Sequence, residues 1–325
     1  MSRTVTTTLM GLTLMGLTLA ATGTTGALAQ AKYPTKPIEL IVPFVAGASA
    51  DASARIMAQF LEARWGIPVK VVNKPGGNTV PGVTEVMSAR PDGTTLLLDS
   101  NPSSSMLDTV VKNLPFKVSD RTFVGMAVYT PMMFILHADS PIRTLKEAAD
   151  AMRTQGETFT WTSLGGAGAQ DMVFRRFAVA AGFDIGKTRP VALKGGAEAV
   201  TITAGGHVKM GVGTWAAIAA PLSAGKLRVL AVAADERWPE LDAPTTKEAG
   251  FANVEVTLWF GISGPPHLPA DIVATWDAAL REAAADKAVR EKLLKVGVVA
   301  SYQNAHEMAA RVERESQETR ALFGR

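Results

Sequence analysis

Residues 38–72, IELIVPFVAGASADASARIMAQFLEARWGIPVKVV, decide the fold. The run 38–42 is apolar except for Glu39 and is closed by Pro43, which cannot donate to a sheet ladder, so it reads as a strand. Residues 50–65 follow a helical period. Ala54, Met57 and Leu61 share one face, with Ile56 and Phe60 beside them, and Gly66 stands where a helix ends in a left-handed residue. Residues 69–72 (VKVV) are the next strand. Strand, helix and strand in this order make a βαβ unit, which implies a parallel sheet with helices on its faces.

The same alternation continues outward. A short helix at 82–89 leads through Arg90-Pro91-Asp92-Gly93 into a strand at 94–98. Strands are expected near 132–137, 158–162, 189–193, 208–212 and 228–233, with helices at 145–153, 169–181, 197–204 and 215–223. A strand at 254–260 ends the series, and Gly264-Pro265-Pro266 breaks the chain. Beyond the break only helices are expected, at 270–284, 288–296 and 306–322. A helical tail of this kind can pack back on the first α/β domain, leaving two α/β lobes joined by two crossing strands with a cleft between them. No repeat of fixed period and no low-complexity stretch interrupts this layout.

Residues 1–29 are of another kind. Arg3 precedes an apolar stretch at 9–20 (LMGLTLMGLTLA), and Ala27-Leu28-Ala29 supplies the small-x-small pattern of a signal-peptidase site. The apolar stretch is shorter than the ~20 residues a bilayer requires, which argues against an anchor. Cleavage is expected after Ala29, giving a mature chain from Gln30 outside the cytoplasm, in the periplasm. The absence of cysteine excludes a lipoprotein anchor, a disulfide framework and a thiol nucleophile. The four histidines (His137, His207, His267 and His306) lack metal-ligand spacing, so neither a metal nor another cofactor is expected. With 33 basic and 30 acidic residues the net charge is +3, and no basic run is dense enough to hold nucleic acid. Any anion must therefore be met locally, not by the field of the whole molecule.

Local anion sites can be sought at the carboxyl ends of the strands, where helix N-termini point. Two loops of small residues lie there, 43–51 (PFVAGASAD) and 163–170 (SLGGAGAQ), and each runs into a helix. An ordinary βα turn explains either loop alone, while a carboxylate held between the two explains both. Gly166-Ala167-Gly168 begins a dinucleotide fingerprint, but Asp171 stands where glycine or alanine is needed, and there is no phosphate-loop motif. No nucleophile elbow exists, and no histidine is placed to serve Ser49 or Ser163 as a base, which counts against a secreted hydrolase. Asp51 falls in the first helical turn. It can serve there as a helix-terminus charge paired with Arg55, or as a group ordering ligand or water. Lys194 is either a solvated lysine or a counter-charge, and Trp215 and Phe44 either core or the wall of an apolar ligand.

Residues 33–44 (YPTKPIELIVPF) and 45–51 (VAGASAD) resemble the opening and first ligand loop of the Bug (TctC-like) substrate-binding proteins of tripartite tricarboxylate transporters. Further similar stretches are 73–78 (NKPGGN), 91–96 (PDGTTL), Lys194-Gly195, 224–232 (AGKLRVLAV), 243–250 (APTTKEAG) and Trp259-Phe260-Gly261. The resemblance runs in order from Tyr33 to about Gly297. It implies a type II periplasmic binding fold of two Rossmann-like lobes, lobe 1 at 30–128 plus 261–325 and lobe 2 at 129–260, closing on a small carboxylate. By position it assigns Phe44, Ala48, Ser49 and Asp51 to the first ligand loop, and Ser163, Gly165, Gly166, Gly168 and Ala169 to the second. Ala48 stands where the family usually has glycine, Val45 where it has proline, and Gly213-Thr214 where an Asp-Asn pair is common. Asn101, Lys194 and Trp215 are expected around the distal pocket.

The function expected from sequence is capture of a small organic mono- or dicarboxylate, aromatic bodies included, and its delivery by a monomer to the membrane permease subunits of a tripartite tricarboxylate transporter. A periplasmic sensor serving a two-component kinase would share the same fold and site.

Overall fold

The computed structural model describes residues 33–165 and 168–323; the expected signal segment 1–29 lies outside the described residues. In chain order the elements are β1 (Ile38–Val42), α1 (Ser49–Trp65), β2 (Val69–Asn73), α2 (Val80–Met87), β3 (Thr95–Ser100), α3 (Leu107–Val110), β4 (Thr122–His137), α4 (Leu145–Gln155) and β5 (Thr160–Ser163). They continue with α5 (Ala169–Ala181), β6 (Arg189–Ala192), α6 (Gly196–Ala204), β7 (Gly211–Gly213), α7 (Trp215–Ser223), β8 (Leu227–Ala233) and β9 (Thr257–Gly264). The last four are α8 (Ala270–Ala285), α9 (Lys287–Lys295), β10 (Val299–Asn304) and α10 (Ala305–Leu322).

The opening βαβ unit forms as its pattern predicts. β1 lies parallel to β2, with Ile38 opposite Val69 and Val42 opposite Asn73, and parallel to β3 on its other side. Ile38, Leu40, Ile41 and Val42 are fully buried, as a strand covered on both faces requires. α1 ends at Gly66, whose φ of 66° is the left-handed value and whose N–H reaches the Glu62 carbonyl at 2.8 Å.

The two largest of four buried clusters mark two α/β cores. One collects Leu40, Val42, Leu61 and Leu96 with Trp276, Leu280 and Leu293, so α8 and α9 do pack back on the first sheet. The other collects Phe134, Trp161, Phe174, Phe177 and Val212. β4 passes between them. Its first part pairs antiparallel with β9 and β10, and from Met132 onward it pairs with β7 and β8 instead. The segment entering β9 returns the other way: Val254 and Val256 belong to the second core, whereas Phe260 and Ile262 belong to the first. The chain thus has the two-lobed periplasmic-binding-protein fold, with two strands crossing between α/β lobes.

Three departures from the sequence reading have identifiable causes. β4 begins at Thr122, ten residues earlier than expected. Pro131 and Gly125 interrupt the pattern there, yet Pro131 sits where β4 leaves one sheet for the other, a position at which a missing donor is tolerated. The carboxyl-terminal part is not purely helical, since β10 adds an edge strand along β4. All six β10 residues are half-buried, so no alternation marked them. β9 starts later than expected and runs on to Gly264. Within it, a Cβ at Gly261 would come within 2.6 Å of the Gly125 carbonyl oxygen, so the two crossing strands approach more closely than any side chain there would permit.

Candidate functional site

The first loop connects β1 to α1. Phe44 is half-buried and packs edge-on against Phe260 of β9 at 6.4 Å, while residues 45–48 are exposed. α1 starts after Ala48, so no side chain caps it and its first-turn N–H groups have no side-chain partner at the N-cap. Asp51, third in the helix, is buried and accepts hydrogen bonds from four directions. Gly47 N–H and Arg55 Nε reach Oδ2 at 2.9 and 3.0 Å, and Asn73 Nδ2 and Arg55 Nη2 reach Oδ1 at 3.0 and 2.9 Å. Asn73 Nδ2 also donates to the Phe44 carbonyl at 3.2 Å. Burial on its own would raise the Asp51 carboxyl, but hydrogen bonds from Arg55, Gly47 and Asn73 outweigh it and hold the group below the usual carboxylate range. Asp51 is therefore a brace: it fixes the loop from beneath.

The second loop repeats this device. Asp171 is third in α5, as Asp51 is in α1. It accepts Ser163 Oγ–H on Oδ1, and the Leu164 and Gly168 N–H groups on Oδ2 at 2.9 and 3.0 Å. Gly168 stands at the N-cap of α5 and offers no side-chain cap, and Ala169 is buried at the first helical position. Gly165 is exposed and left-handed at φ 79°, which turns the chain after Ser163. Gly166 lies outside the described residues. The residue that breaks the nucleotide fingerprint is thus the one that shapes the loop, a role sequence reading missed.

Lys194 adjoins this second loop. The Leu193 N–H bonds the Ser163 carbonyl at 2.9 Å, and Lys194 follows, exposed, with its own N–H held by Glu198 at 2.8 Å. α6 then begins after Gly195, again without a side-chain cap. Trp215 starts α7, stacks at 5.7 Å on Trp238 and meets the Gly297 turn, where an added Cβ would lie 3.0 Å from its own Cβ. Asn101 is buried beneath α10. Its Nδ2 donates to Glu315 at 2.9 Å and its Oδ1 accepts the Trp259 N–H at 3.2 Å.

Helix capping differs across the molecule. Thr144, Asp286 and Asn304 cap α4, α9 and α10 with their side chains. α1, α5, α6 and α7, which begin at the loops named above, have no N-cap side-chain hydrogen bond, and neither do α2 and α8. Two concave spaces of about 770 and 430 Å³ flank α10, and neither is lined by the two loops. Among the described residues no cluster of three or more potential metal ligands occurs.

The two-lobed α/β fold is that of periplasmic binding proteins. Residues 53–324 match the model of the tripartite tricarboxylate transporter family receptor (TctC), and the chain belongs to that family, whose members are binding proteins, not enzymes. The chain is 28% identical to Protein BugT of Bordetella pertussis (strain Tohama I) over 88% of each chain. It is similar to the structure of the periplasmic binding protein BugD, with 27% identity, a TM-score of 0.77 and coverage of 90% of this chain and 98% of that one. A third likeness, in fold alone, is to R. palustris Rpa4515 with adipate, with 23% identity, a TM-score of 0.79 and coverage of 90% and 98%.

Proposed function

We infer that the protein is an extracytoplasmic receptor that captures a small organic mono- or dicarboxylate, aromatic ones included, and hands it to the permease subunits of a tripartite tricarboxylate transporter. The observation that carries this reading is the matched pair of loops, each leading into a helix without a side-chain cap and each braced by an aspartate at the third helical position. Such helix starts favour an anion through their N–H groups and the helix dipole. The carboxylate would lie between Phe44, Ala48 and Ser49 of the first loop and Ser163, Gly165, Gly166, Gly168 and Ala169 of the second, with Asp51 as the brace. Lys194 and Trp215 would bound the distal end of the ligand, and Asn101, engaged by Glu315, would support the wall behind it.

In this reading lobe 1 comprises 30–128 plus 261–325 and lobe 2 comprises 129–260. The mature protein begins after Ala29, works in the periplasm and is a monomer. The family is the main support for the transporter partner, and the paired loops at uncapped helix starts support the ligand class. The test is a thermal-shift screen of the purified mature protein against carboxylates and their amides. A bound ligand stabilises the folded state by mass action, about 2.7 kcal/mol at a hundredfold excess over Kd, and so raises the unfolding midpoint. Stabilisation by a carboxylate but not by its amide is expected; no stabilisation by any carboxylate would refute the reading.

A further inference from the structure

We propose that Gln170 is a specificity-determining residue of the ligand site, and that its carboxamide oxygen accepts a hydrogen bond from a hydroxyl group on the bound carboxylate, which makes hydroxy-substituted carboxylates the preferred ligands. This deepens the carboxylate-receptor reading and rests on it. Gln170 is the second residue of α5, between Ala169 and the bracing Asp171, and only 4% of its surface is exposed. Among the described residues its Oε1 has no hydrogen-bond partner. Its Nε2 lies against the start of α6, 3.1 Å from where a Cβ on Gly196 would stand. The carboxamide therefore sits at the junction of two uncapped helix starts, those following Gly168 and Gly195.

A buried amide oxygen without a donor is costly, and native proteins seldom leave one. The two helix starts supply donors suited to a carboxylate, whereas Oε1 is an acceptor, and an ionised carboxylate has no hydrogen to give it. In this proposal its partner, in place of water, is a donor elsewhere on the ligand. A hydroxyl fits a neutral acceptor in a buried position better than an ammonium group, whose charge would require a facing anion. Asp171, the nearest carboxylate in sequence, is already committed to Ser163, Leu164 and Gly168. A site built around a hydroxyl also rejects the deoxy ligand, because the acceptor is then left unpaired.

The test is calorimetric titration of the mature wild-type protein with hydroxylated and deoxy pairs: malate and succinate, 2-hydroxyglutarate and glutarate, 3-hydroxyadipate and adipate. In at least one pair the hydroxylated member is expected to bind about tenfold or more tightly, which corresponds to about 1.4 kcal/mol. Gln170→Leu and Gln170→Met should bring that ratio to about one while leaving the Kd of the deoxy member within about threefold. Retained deoxy binding also shows that the variants fold. Wild-type protein that binds carboxylates without preferring the hydroxylated member overturns the role of Gln170 alone. A preference that survives both substitutions, or an equal loss for both members, overturns it too. Wild-type protein that binds none of the six overturns this proposal, and the carboxylate reading falls with it only if no carboxylate stabilises the protein in the thermal-shift screen.

Discussion

Replacing Asp51 by alanine tests the brace under the first loop. The side chain is buried and takes two bonds that tie separate segments together, from Gly47 N–H and Asn73 Nδ2, besides its pair with Arg55. Hydrogen bonds to a charged acceptor contribute about 1.5–3 kcal/mol each when buried. The Gly47 end is exposed, so water can replace the lost acceptor there and the low end of that range applies. Arg55 is 54% exposed, and its pair with Asp51 adds about 0.5 kcal/mol at most. Together these give a loss of about 3–5 kcal/mol, which at ~2.1 cal/mol/K of unfolding entropy per residue lowers the unfolding midpoint of a unit of about 290 residues by roughly 5–8 °C. Affinity should fall as well. If the loop recovers even one residue's worth of backbone freedom, binding must reorder it at about 1–2 kcal/mol, so Kd rises about tenfold. Differential scanning calorimetry and titration with the most stabilising carboxylate read the two effects. A variant whose midpoint stays within about 1 °C and whose Kd is unchanged would refute the brace.

Three further outcomes are expected. Asp171→Ala should weaken carboxylate binding about tenfold by releasing Leu164 and Gly168 N–H, a change readable by titration against wild type. Asp99→Ala should cost about 3–5 kcal/mol of stability in denaturant unfolding, because Arg121, fully buried and 3.3 Å away, is left with an uncompensated charge. The third concerns acid. The Asp51 carboxyl is held below its ordinary value of 3.8, so its contribution is fully present above about pH 4 and is lost as pH falls through the lower folded-state value. Melting curves between pH 7 and pH 3 should therefore show wild type losing more stability below pH 4 than Asp51→Asn, and parallel losses would contradict that assignment.

Much of the fold was legible because its elements carry local patterns. The βαβ unit at 38–72 announces itself by an apolar run, a helical stripe and a capping glycine, and α5 and α7 begin and end where their periodicity does. β10 and the first part of β4 were not legible. Their status comes from pairing with distant strands, and Pro131 and Gly125 in β4 are tolerated only because that strand changes sheets and meets β9 at close range. The two loops stood out by their small residues and by the helix following each. What holds them did not. Asn73 reaches Asp51 across 22 residues of sequence, and nothing in a strand-terminal asparagine discloses that contact. Asp171 read as a broken fingerprint, and Gln170 only as the end of the small-residue loop 163–170. An unpaired acceptor becomes visible only when burial is known.

The resemblance and the physical reading meet at the same loops from different directions. The first rests on strings such as YPTKPIELIVPF; the second on the helix starts and the near-neutral charge, which leaves anion capture to local N–H groups. That assignment is open to one direct measurement, the crystal structure of the mature protein with its most stabilising carboxylate. The account predicts the carboxylate oxygens within hydrogen-bond distance of backbone N–H groups in both 47–50 and 165–170. A carboxylate bound in the spaces beside α10, or held by side chains alone, would contradict it.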